Sequence, residues 1–272
     1  MSILERIWVT RGYELDQDGL IPPHLLLSYM EHLRWESLSA DSKVQIRRLF
    51  DTGYHFVVAA QRLQVEQDPG LGVELWADMT VGHVGRSSLE FRHHFRRGSR
   101  QGSDVARGSV TAVLLDAAGR PTPVPDDVRR EVTEHASERW IDGVELDPPE
   151  PPVVAAAGAW RRSLEVRPSD LDLLRHVNHA TYLAYVDDTR RLCAAAGGYG
   201  EQLTSGRIRQ ASLDYLQQAL QGERLVALTW IVEHDPPTLA FLLQREVDGQ
   251  VVCRAAVRLG DAALPPAFFA VG

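Results

Sequence analysis

The chain has 272 residues, 44% hydrophobic and 24% charged, so it can bury a sizeable core in one large or two small domains and is too apolar to be disordered. Its net charge of −8 at pH 7 and its pI near 5.7 argue against nucleic acid as the main partner, because that partner needs a clustered basic surface. No stretch reaches the roughly 20 apolar residues of a membrane span and the start lacks the apolar core of a signal peptide, which predicts a cytoplasmic protein.

The first half of the chain predicts a strand, a long helix and then a series of strands. A short strand near Ile7 to Tyr13 precedes a helix from about Pro23 to Leu38, for which Pro22 is a first-turn signal. Val, Leu, Phe and Thr then recur between glycine-containing breaks, which is typical of strands. These strands are predicted near Tyr54 to Glu66, Val73 to Val81, Ser87 to Arg96 and Val105 to Leu115.

The second half predicts the same order of elements. A helix around Pro125 to Arg139 comes before a proline-rich connection at 141–159, which favours an extended, semi-rigid linker. Gly197 and Gly198 would end the second long helix, and Asp248-Gly249 predicts a hairpin. The elements are predicted at Trp160 to Arg167, Asn178 to Ala196, Ile208 to Leu216, Arg224 to Glu233, Thr238 to Val247 and Val251 to Leu259.

The two halves begin with copies of one segment, 156 residues apart. The matched pairs are Arg11 and Arg167, Leu15 and Leu171, Asp16 and Asp172, Leu27 and Leu183, Tyr29 and Tyr185, and Arg34 and Arg190, with acidic pairs at Glu14 and Asp170 and at Glu31 and Asp187. Where the second copy has His176 and Asn178, the first has Leu20 and Pro22. We therefore expect the chemistry in the second copy.

Residues 164–190 place two carboxylates directly before a helix start. Asp170 and Asp172 follow the strand, and His176 and Asn178 lead into the helix. The first N–H groups of a helix and the positive end of its dipole stabilise negative charge. An oxyanion would be stabilised at such a place.

This segment resembles the active-site segment of hotdog-fold thioesterases, the 4-hydroxybenzoyl-CoA and acyl-acyl-carrier-protein thioesterase families, whose pattern reads roughly D-x-D-x-x-G-H-V-N-N-x-x-Y-x-x-Y-x-E-x-[AT]-R. The matching residues are Asp170, Asp172, His176, Val177, Asn178, Tyr182, Tyr185 and Arg190, with Asp188 where the family has Glu. Arg175 replaces the usual Gly, and His179 replaces the second Asn. Residues 13–38 are similar to the opening helix segment of the first hotdog half in carrier-protein thioesterases.

The resemblance implies an α+β double hotdog, with two long helices, each wrapped by an antiparallel sheet, and with the two sheets joined into one. Residues 1–140 would form a first, non-catalytic repeat, which contributes the acyl pocket. Residues 141–159 would form the linker, and 160–272 the catalytic repeat. Since two copies in one chain already supply the pairing that single-copy relatives obtain by dimerising, a monomer or a homodimer of it is expected.

The resemblance also implies hydrolysis of an acyl thioester, carried by an acyl carrier protein or by CoA, to a carboxylic acid and a thiol. Asp172 would be the general base or the attacking carboxylate, His176 would orient or polarise the carbonyl or the water, and Asn178 would hold the loop or cap the helix. Tyr182 and His179 are the candidate substrate-binding residues. Neither a cofactor nor a metal is expected.

Other readings of the same residues stay open. Asp172 is alternatively only a turn or capping residue, which is the expected role of Asp16. A non-catalytic acyl-binding or assembly module of the same fold is the alternative function, and a hotdog dehydratase is a second rival. The chain has no G-x-S-x-G, phosphate-loop or G-x-G-x-x-G motif, which argues against serine hydrolases, nucleotide hydrolases and Rossmann oxidoreductases.

Several residues outside this segment also carry expectations. Cys193 and Cys253 are expected to be reduced packing residues. His93 and His94 would face opposite sides of a strand, which disfavours a metal site, and Arg190 would pair with an aspartate of its own helix. Five arginines predict either a solvated strand and loop or a docking surface for phosphopantetheine, a nucleotide phosphate or an acidic carrier protein; they are Arg86, Arg92, Arg96, Arg97 and Arg100.

Overall fold

The chain folds into two units that contain the same series of elements. The computed structural model describes residues 2–37, 53–134, 146–149, 159–196 and 206–260. The first two of these ranges form the first unit and the other three form the second. In each unit the described strands form a five-stranded antiparallel sheet, and a long helix connects the first strand to the second along the chain. No helix in the described ranges is long and apolar enough to cross a membrane.

The described residues of the first unit form five strands, two α-helices and a 3-10 turn at Gly12–Glu14. The elements are β1 (Leu4–Val9), α1 (Pro23–Glu36), β2 (His55–Val65), β3 (Glu74–Val84), β4 (Ser88–Arg97), β5 (Asp104–Leu115) and α2 (Asp126–Glu134). The strands lie in the order β1-β3-β4-β5-β2. In β4, Phe91, His93 and Phe95 are buried and the residues between them are partly exposed, because successive side chains of a strand point to opposite faces.

The second unit repeats this arrangement, with a 3-10 turn at Pro168–Asp170. The elements are β6 (Trp160–Glu165), α3 (His179–Ala195), β7 (Arg207–Tyr215), β8 (Arg224–His234), β9 (Pro237–Arg245) and β10 (Val251–Gly260). The order of the strands is β6-β8-β9-β10-β7, which matches the order of the first sheet element for element.

The two sheets also share one register across all five strands. A row of paired residues crosses the first sheet through Leu4, Met79, His93, Gly108 and Leu63. The corresponding row in the second sheet is Trp160, Thr229, Phe241, Ala255 and Leu213. The repeat seen around the long helices therefore continues through both sheets.

Helix α1 lies close to its sheet because Gly108 has no side chain. A Cβ at this position would lie 2.7 Å from both Sδ and Cε of Met30, which is closer than packed atoms approach. Met30, Leu27 and Leu33 of α1 are fully buried against this face. Burial of each such side chain stabilises the fold by roughly 1.5–3 kcal/mol.

Most predicted elements are confirmed to within a few residues, and one prediction is wrong. The strand predicted near Ile7 to Tyr13 begins at Leu4 and ends at Val9, because residues 12–14 turn into a 3-10 helix in which the Arg11 N–H donates to the Glu14 carboxylate. The hairpin at Asp248-Gly249 is confirmed, with Gly249 at φ 71° between β9 and β10.

The predicted domain boundaries stay predictions. Of the linker, only 146–149 and Ala159 lie within the described residues. The stop at Gly197 and Gly198, and the part of the predicted second helix beyond Glu134, lie outside them.

His93 is a titratable side chain buried inside the first unit. Burial lowers its pKa well below the ordinary value of 6.5, and the positive charge of Arg34 on α1 lowers the pKa further. Backbone groups of Gly108 and Met30 oppose this shift without reversing it. His93 is therefore neutral in the folded protein near pH 7.

We expect acid to destabilise the first unit through His93. Since the folded pKa lies below the unfolded one, the unfolded chain binds the extra proton, and stability is lost as the pH falls below about 6.5. The limiting slope for one proton is about 1.4 kcal/mol per pH unit. His93→Phe places at 93 the residue that the second unit has at 241. In this variant the urea concentration at the midpoint of unfolding of the first unit should depend less on pH between 6.5 and 5. An unchanged pH profile in the variant would contradict this account.

Candidate active site

A short loop joins the 3-10 turn after β6 to the start of α3. Leu171 and Val177 pair as an isolated β-bridge, so residues 172–176 form a closed loop between them. The Asp172 N–H donates to the His176 carbonyl at 2.9 Å, and the Arg175 N–H donates to the Asp172 carbonyl at 3.0 Å. The loop carries Asp172 and His176, and Asn178 and His179 follow it at the start of α3.

Asp170 anchors this loop. Its carboxylate is 3% exposed and accepts hydrogen bonds from the Arg167 N–H at 2.8 Å, the Arg167 Nη2 at 2.9 Å and the Tyr185 hydroxyl at 2.7 Å. Its backbone carbonyl accepts from the Asn178 N–H at 2.8 Å. Burial alone would raise the pKa of Asp170, but the bonds from Arg167 and Tyr185 hold the pKa below its ordinary value. The carboxylate is thus ionised and joins the strand end, the loop and α3.

Asp172 lies on the loop with one oxygen engaged. Its Oδ1 accepts from the Leu174 N–H at 2.8 Å and from the His176 N–H at 3.3 Å. Its Oδ2 has no hydrogen-bond partner within the described residues, and the side chain is half-buried. Asp172 therefore has the turn role that the sequence offered as an alternative, and this role leaves the second carboxylate oxygen for other chemistry.

His176 and Asn178 lie on either side of Val177 at the end of the loop. The backbone of His176 pairs with Leu220, which follows β7, so the histidine is fixed between two loops. Asn178 is the N-cap of α3, because its Oδ1 accepts from the Ala180 N–H at 2.8 Å. Of the two roles expected for Asn178, the capping role is thus present in the structure.

An aromatic cluster lies beside the first turns of α3. The Tyr182 ring is 5.5 Å from that of Tyr215 and 6.1 Å from that of Tyr185, centroid to centroid. The Tyr215 hydroxyl donates to the His179 carbonyl at 2.8 Å, and the rings of these two residues are 6.3 Å apart. Tyr182 is 3% exposed, and burial raises the pKa of its hydroxyl. Tyr215 was not predicted from the sequence; its signal is an aromatic side chain at the end of a strand.

The first unit contains the same loop without the polar side chains at its end. Asp16 Oδ1 accepts from the Asp18 N–H at 2.9 Å and from the Leu20 N–H at 3.2 Å, as Asp172 does in the second unit. Glu14 replaces Asp170 as the anchor, since it accepts from the Arg11 N–H and from the Tyr29 hydroxyl. The predicted turn role of Asp16 is therefore confirmed.

Arg175 occupies a position that suits glycine. Its φ of 63° is in the left-handed region, where Gly19 has a φ of 73° in the equivalent loop of the first unit. Within the described residues, Arg175 is the only non-glycine residue with positive φ. The family pattern has glycine here because a Cβ in this conformation costs roughly 1–2 kcal/mol.

The two cysteines, and the adjacent histidines His93 and His94, have the environments that the sequence predicts. Cys193 and Cys253 are buried free thiols, and burial raises the pKa of each. His93 is buried on the inner face of β4, whereas His94 on the outer face bonds Asp104 at 2.6 Å.

The arginines form ion pairs along strands and a helix. Arg190 is fully buried and bonds Asp187 on its own helix, as expected. Arg92 pairs with Glu90 and Arg96 pairs with Asp104 on β4 and β5. The docking alternative for the arginine cluster stays a prediction.

We expect the hydroxyl of Tyr185 to stabilise the loop. Tyr185→Phe removes a 2.7 Å bond to a buried carboxylate, and a hydrogen bond to a charged group contributes about 1.5–3 kcal/mol. Tyr29→Phe removes the equivalent hydroxyl beside the more exposed Glu14 and is the matched control. In urea unfolding the Tyr185 variant should lose more free energy than the control, and equal losses would show that the hydroxyl does not anchor Asp170.

Comparison with known proteins gives one family match and similar relatives. Residues 166–260 match the thioesterase-like superfamily. The chain is 25% identical over 259 residues to a chloroplastic acyl-acyl-carrier-protein hydrolase of Cuphea viscosissima, a match that covers 89% of this chain and 59% of the relative. It is 24% identical over 271 residues to a chloroplastic palmitoyl-acyl carrier protein thioesterase of Arabidopsis thaliana, covering 93% and 60%. The chain thus spans about 60% of the length of these curated relatives.

Solved structures share the fold over nearly the whole chain. A 12:0-ACP thioesterase from Umbellularia californica superposes with a TM-score of 0.78 at 20% identity, covering 95% of this chain and 94% of that one. An acyl-ACP thioesterase from Bacteroides thetaiotaomicron gives a TM-score of 0.74 at 15% identity, covering 94% and 97%. The predicted α+β double-hotdog fold is confirmed.

Proposed function

We propose that this double-hotdog protein, whose residues 166–260 match the thioesterase-like superfamily, hydrolyses acyl thioesters to a carboxylic acid and a thiol. One observation carries the proposal: the Asp172 carboxylate is fixed through Oδ1 in the loop before α3, and Oδ2 is left for a reacting water or carbonyl. The names of the curated relatives, a carrier-protein hydrolase and a carrier-protein thioesterase, support the same chemistry.

In this mechanism the thioester carbonyl lies against the first turn of α3. As a water or a carboxylate oxygen attacks, negative charge grows on the carbonyl oxygen, and the positive end of the helix stabilises it. The Ala180 N–H is already bonded to Asn178 and the Thr181 N–H to the Asn178 carbonyl. We therefore assign the oxyanion stabilisation to the dipole of the first turn, which Asn178 holds in place.

Asp172 acts by one of two routes. As a base, it takes a proton from water while the water oxygen bonds to the carbonyl carbon, and the thiolate that leaves takes the proton up. As a nucleophile, it forms a mixed anhydride and releases the thiolate, and water then hydrolyses the anhydride. The backbone N–H of His176 donates to the same carboxylate, and its imidazole is proposed to orient the water or the carbonyl in either route.

Tyr182 and His179 are the proposed contacts for the acyl group. Both lie in the first turns of α3, within the aromatic cluster that Tyr215 completes. The carrier is proposed to be an acyl carrier protein or CoA. The cytoplasmic location, the acyl pocket in the first unit and the choice between monomer and homodimer remain predictions of the sequence.

Asp172→Asn separates the chemical role from the turn role. The asparagine Oδ1 can still accept the two backbone hydrogen bonds, so the free energy of unfolding should change by less than about 1 kcal/mol. The loss of the carboxylate should lower kcat by roughly 100- to 10,000-fold. Thiol release from a panel of acyl-CoA and acyl-carrier-protein thioesters measures this effect.

Asp16→Asn is the matched control, because Asp16 makes the same two backbone bonds in the first unit. Its activity should stay within twofold of the wild type. Normal thiol release by Asp172→Asn would reject the mechanism. No release by the wild-type protein on any thioester would favour a non-catalytic acyl-binding module.

A further inference from the structure

The loop before α3 carries an unusual set of side chains at its tip, which we define as Leu173, Leu174 and Arg175. Leu173 is 86% exposed and Leu174 is 51% exposed, although both are large apolar residues. Arg175 is exposed as well, and its guanidinium makes no hydrogen bond or ion pair with any residue in the described ranges. The tip therefore presents two leucines and one unpaired cation to its surroundings.

The turn itself does not require these side chains. The equivalent tip of the first unit is Gln17, Asp18 and Gly19, and it is closed by the same four backbone and carboxylate hydrogen bonds. There the residues are polar, the charge is negative and the left-handed position is a glycine. The same backbone thus carries opposite chemistry in the unit that holds Asp172.

Arg175 keeps a conformation that disfavours every residue with a Cβ. Backbone strain of this kind persists where the surroundings or a function maintain it, and no contact of the guanidinium within the described residues compensates for it. Among the described residues, the guanidinium is therefore open to contact with a bound molecule. An exposed guanidinium is suited to bind a phosphate, because its N–H groups match two phosphate oxygens.

Leu220 extends the apolar part of the tip. It is 39% exposed and its backbone pairs with His176, which places it beside the end of the loop. Exposed leucines thus lie both at the tip and beside His176, and the cation lies at the tip.

We propose that the tip is the subsite for the phosphopantetheine arm of the substrate. This arm joins the thioester sulfur to a phosphate ester through two amides and a geminal dimethyl group, so it needs apolar contact near its middle and a cation at its end. Leu174 and Leu220 contact the dimethyl segment and Arg175 pairs with the phosphate. The inference rests on the proposed function and adds where the carrier end of the substrate is held.

Arg175→Gly is the main test, because it places at 175 the residue with which the first unit forms the same turn. Matched thioesters of one acyl group on CoA, on pantetheine without phosphate, and on an acyl carrier protein supply the comparison. The variant should raise KM for the CoA ester roughly three- to tenfold, leave kcat within twofold, and leave KM for the pantetheine ester unchanged. A rise for the carrier-protein ester of the same size identifies the shared phosphate; a rise for the CoA ester alone assigns the contact to the nucleotide phosphates and overturns the proposal.

Two further variants define the alternatives. Leu173→Gln with Leu174→Asp, which copies the first-unit tip, should raise KM for the CoA and pantetheine esters alike. Arg161→Ala removes an exposed arginine on β6 and should change neither. Equal kinetics of Arg175→Gly and wild type on all three esters would overturn the inference.

Binding of 4′-phosphopantetheine, measured by calorimetry, separates this inference from the proposed function. If the wild type hydrolyses no ester but binds 4′-phosphopantetheine more tightly than Arg175→Gly does, the hydrolase function fails and the subsite stands. If hydrolysis proceeds and the arginine changes neither KM nor binding, the subsite fails and the hydrolase function stands. Because the contact is exposed, binding by the wild type should also weaken as salt rises, and that dependence should be smaller in the variant.

Discussion

The buried carboxylate of Asp170 is the interaction on which the candidate site depends. The carboxylate accepts hydrogen bonds from Arg167, before the 3-10 turn, and from Tyr185 on α3. The backbone carbonyl of Asp170 accepts from the Asn178 N–H at the helix start. A buried charge is tolerated only when several donors satisfy it, and these donors come from both sides of the loop. The position of Asp172 relative to α3 is therefore set by a residue that need not take part in the chemistry.

The two units show which parts of the loop belong to the fold. Both keep an acidic anchor, a tyrosine that bonds it and an aspartate that closes the turn with one oxygen. They differ in the residues that the turn does not need: His176 and Asn178 stand where the first unit has Leu20 and Pro22. A framework used twice leaves these positions to vary, and only the second unit combines a histidine and an asparagine there with the aspartate of the turn.

Much of the architecture could be predicted because it follows from local pattern and from the repeat. Alternating strands, a helix at Pro23 and the 156-residue spacing are properties of neighbouring residues or of direct comparison. Tyr215 could not be found in this way, because its contact with α3 depends on the register of β7 with β10. The glycine of the family pattern indicates the left-handed backbone of Arg175, but the exposure of its side chain could only be seen in three dimensions.

The aspartate of the turn cannot by itself indicate an enzyme. Asp16 shows that closing the loop is sufficient reason for an aspartate, since its Oδ1 accepts the same two N–H groups without a histidine or an asparagine nearby in the loop. What distinguishes Asp172 is the combination of neighbours: a helix start capped by Asn178, a histidine at the end of the same loop and an exposed cationic tip. Chemistry at this loop is therefore a property of the set, and an aspartate in a hotdog turn is informative only together with the residues that lead into the helix.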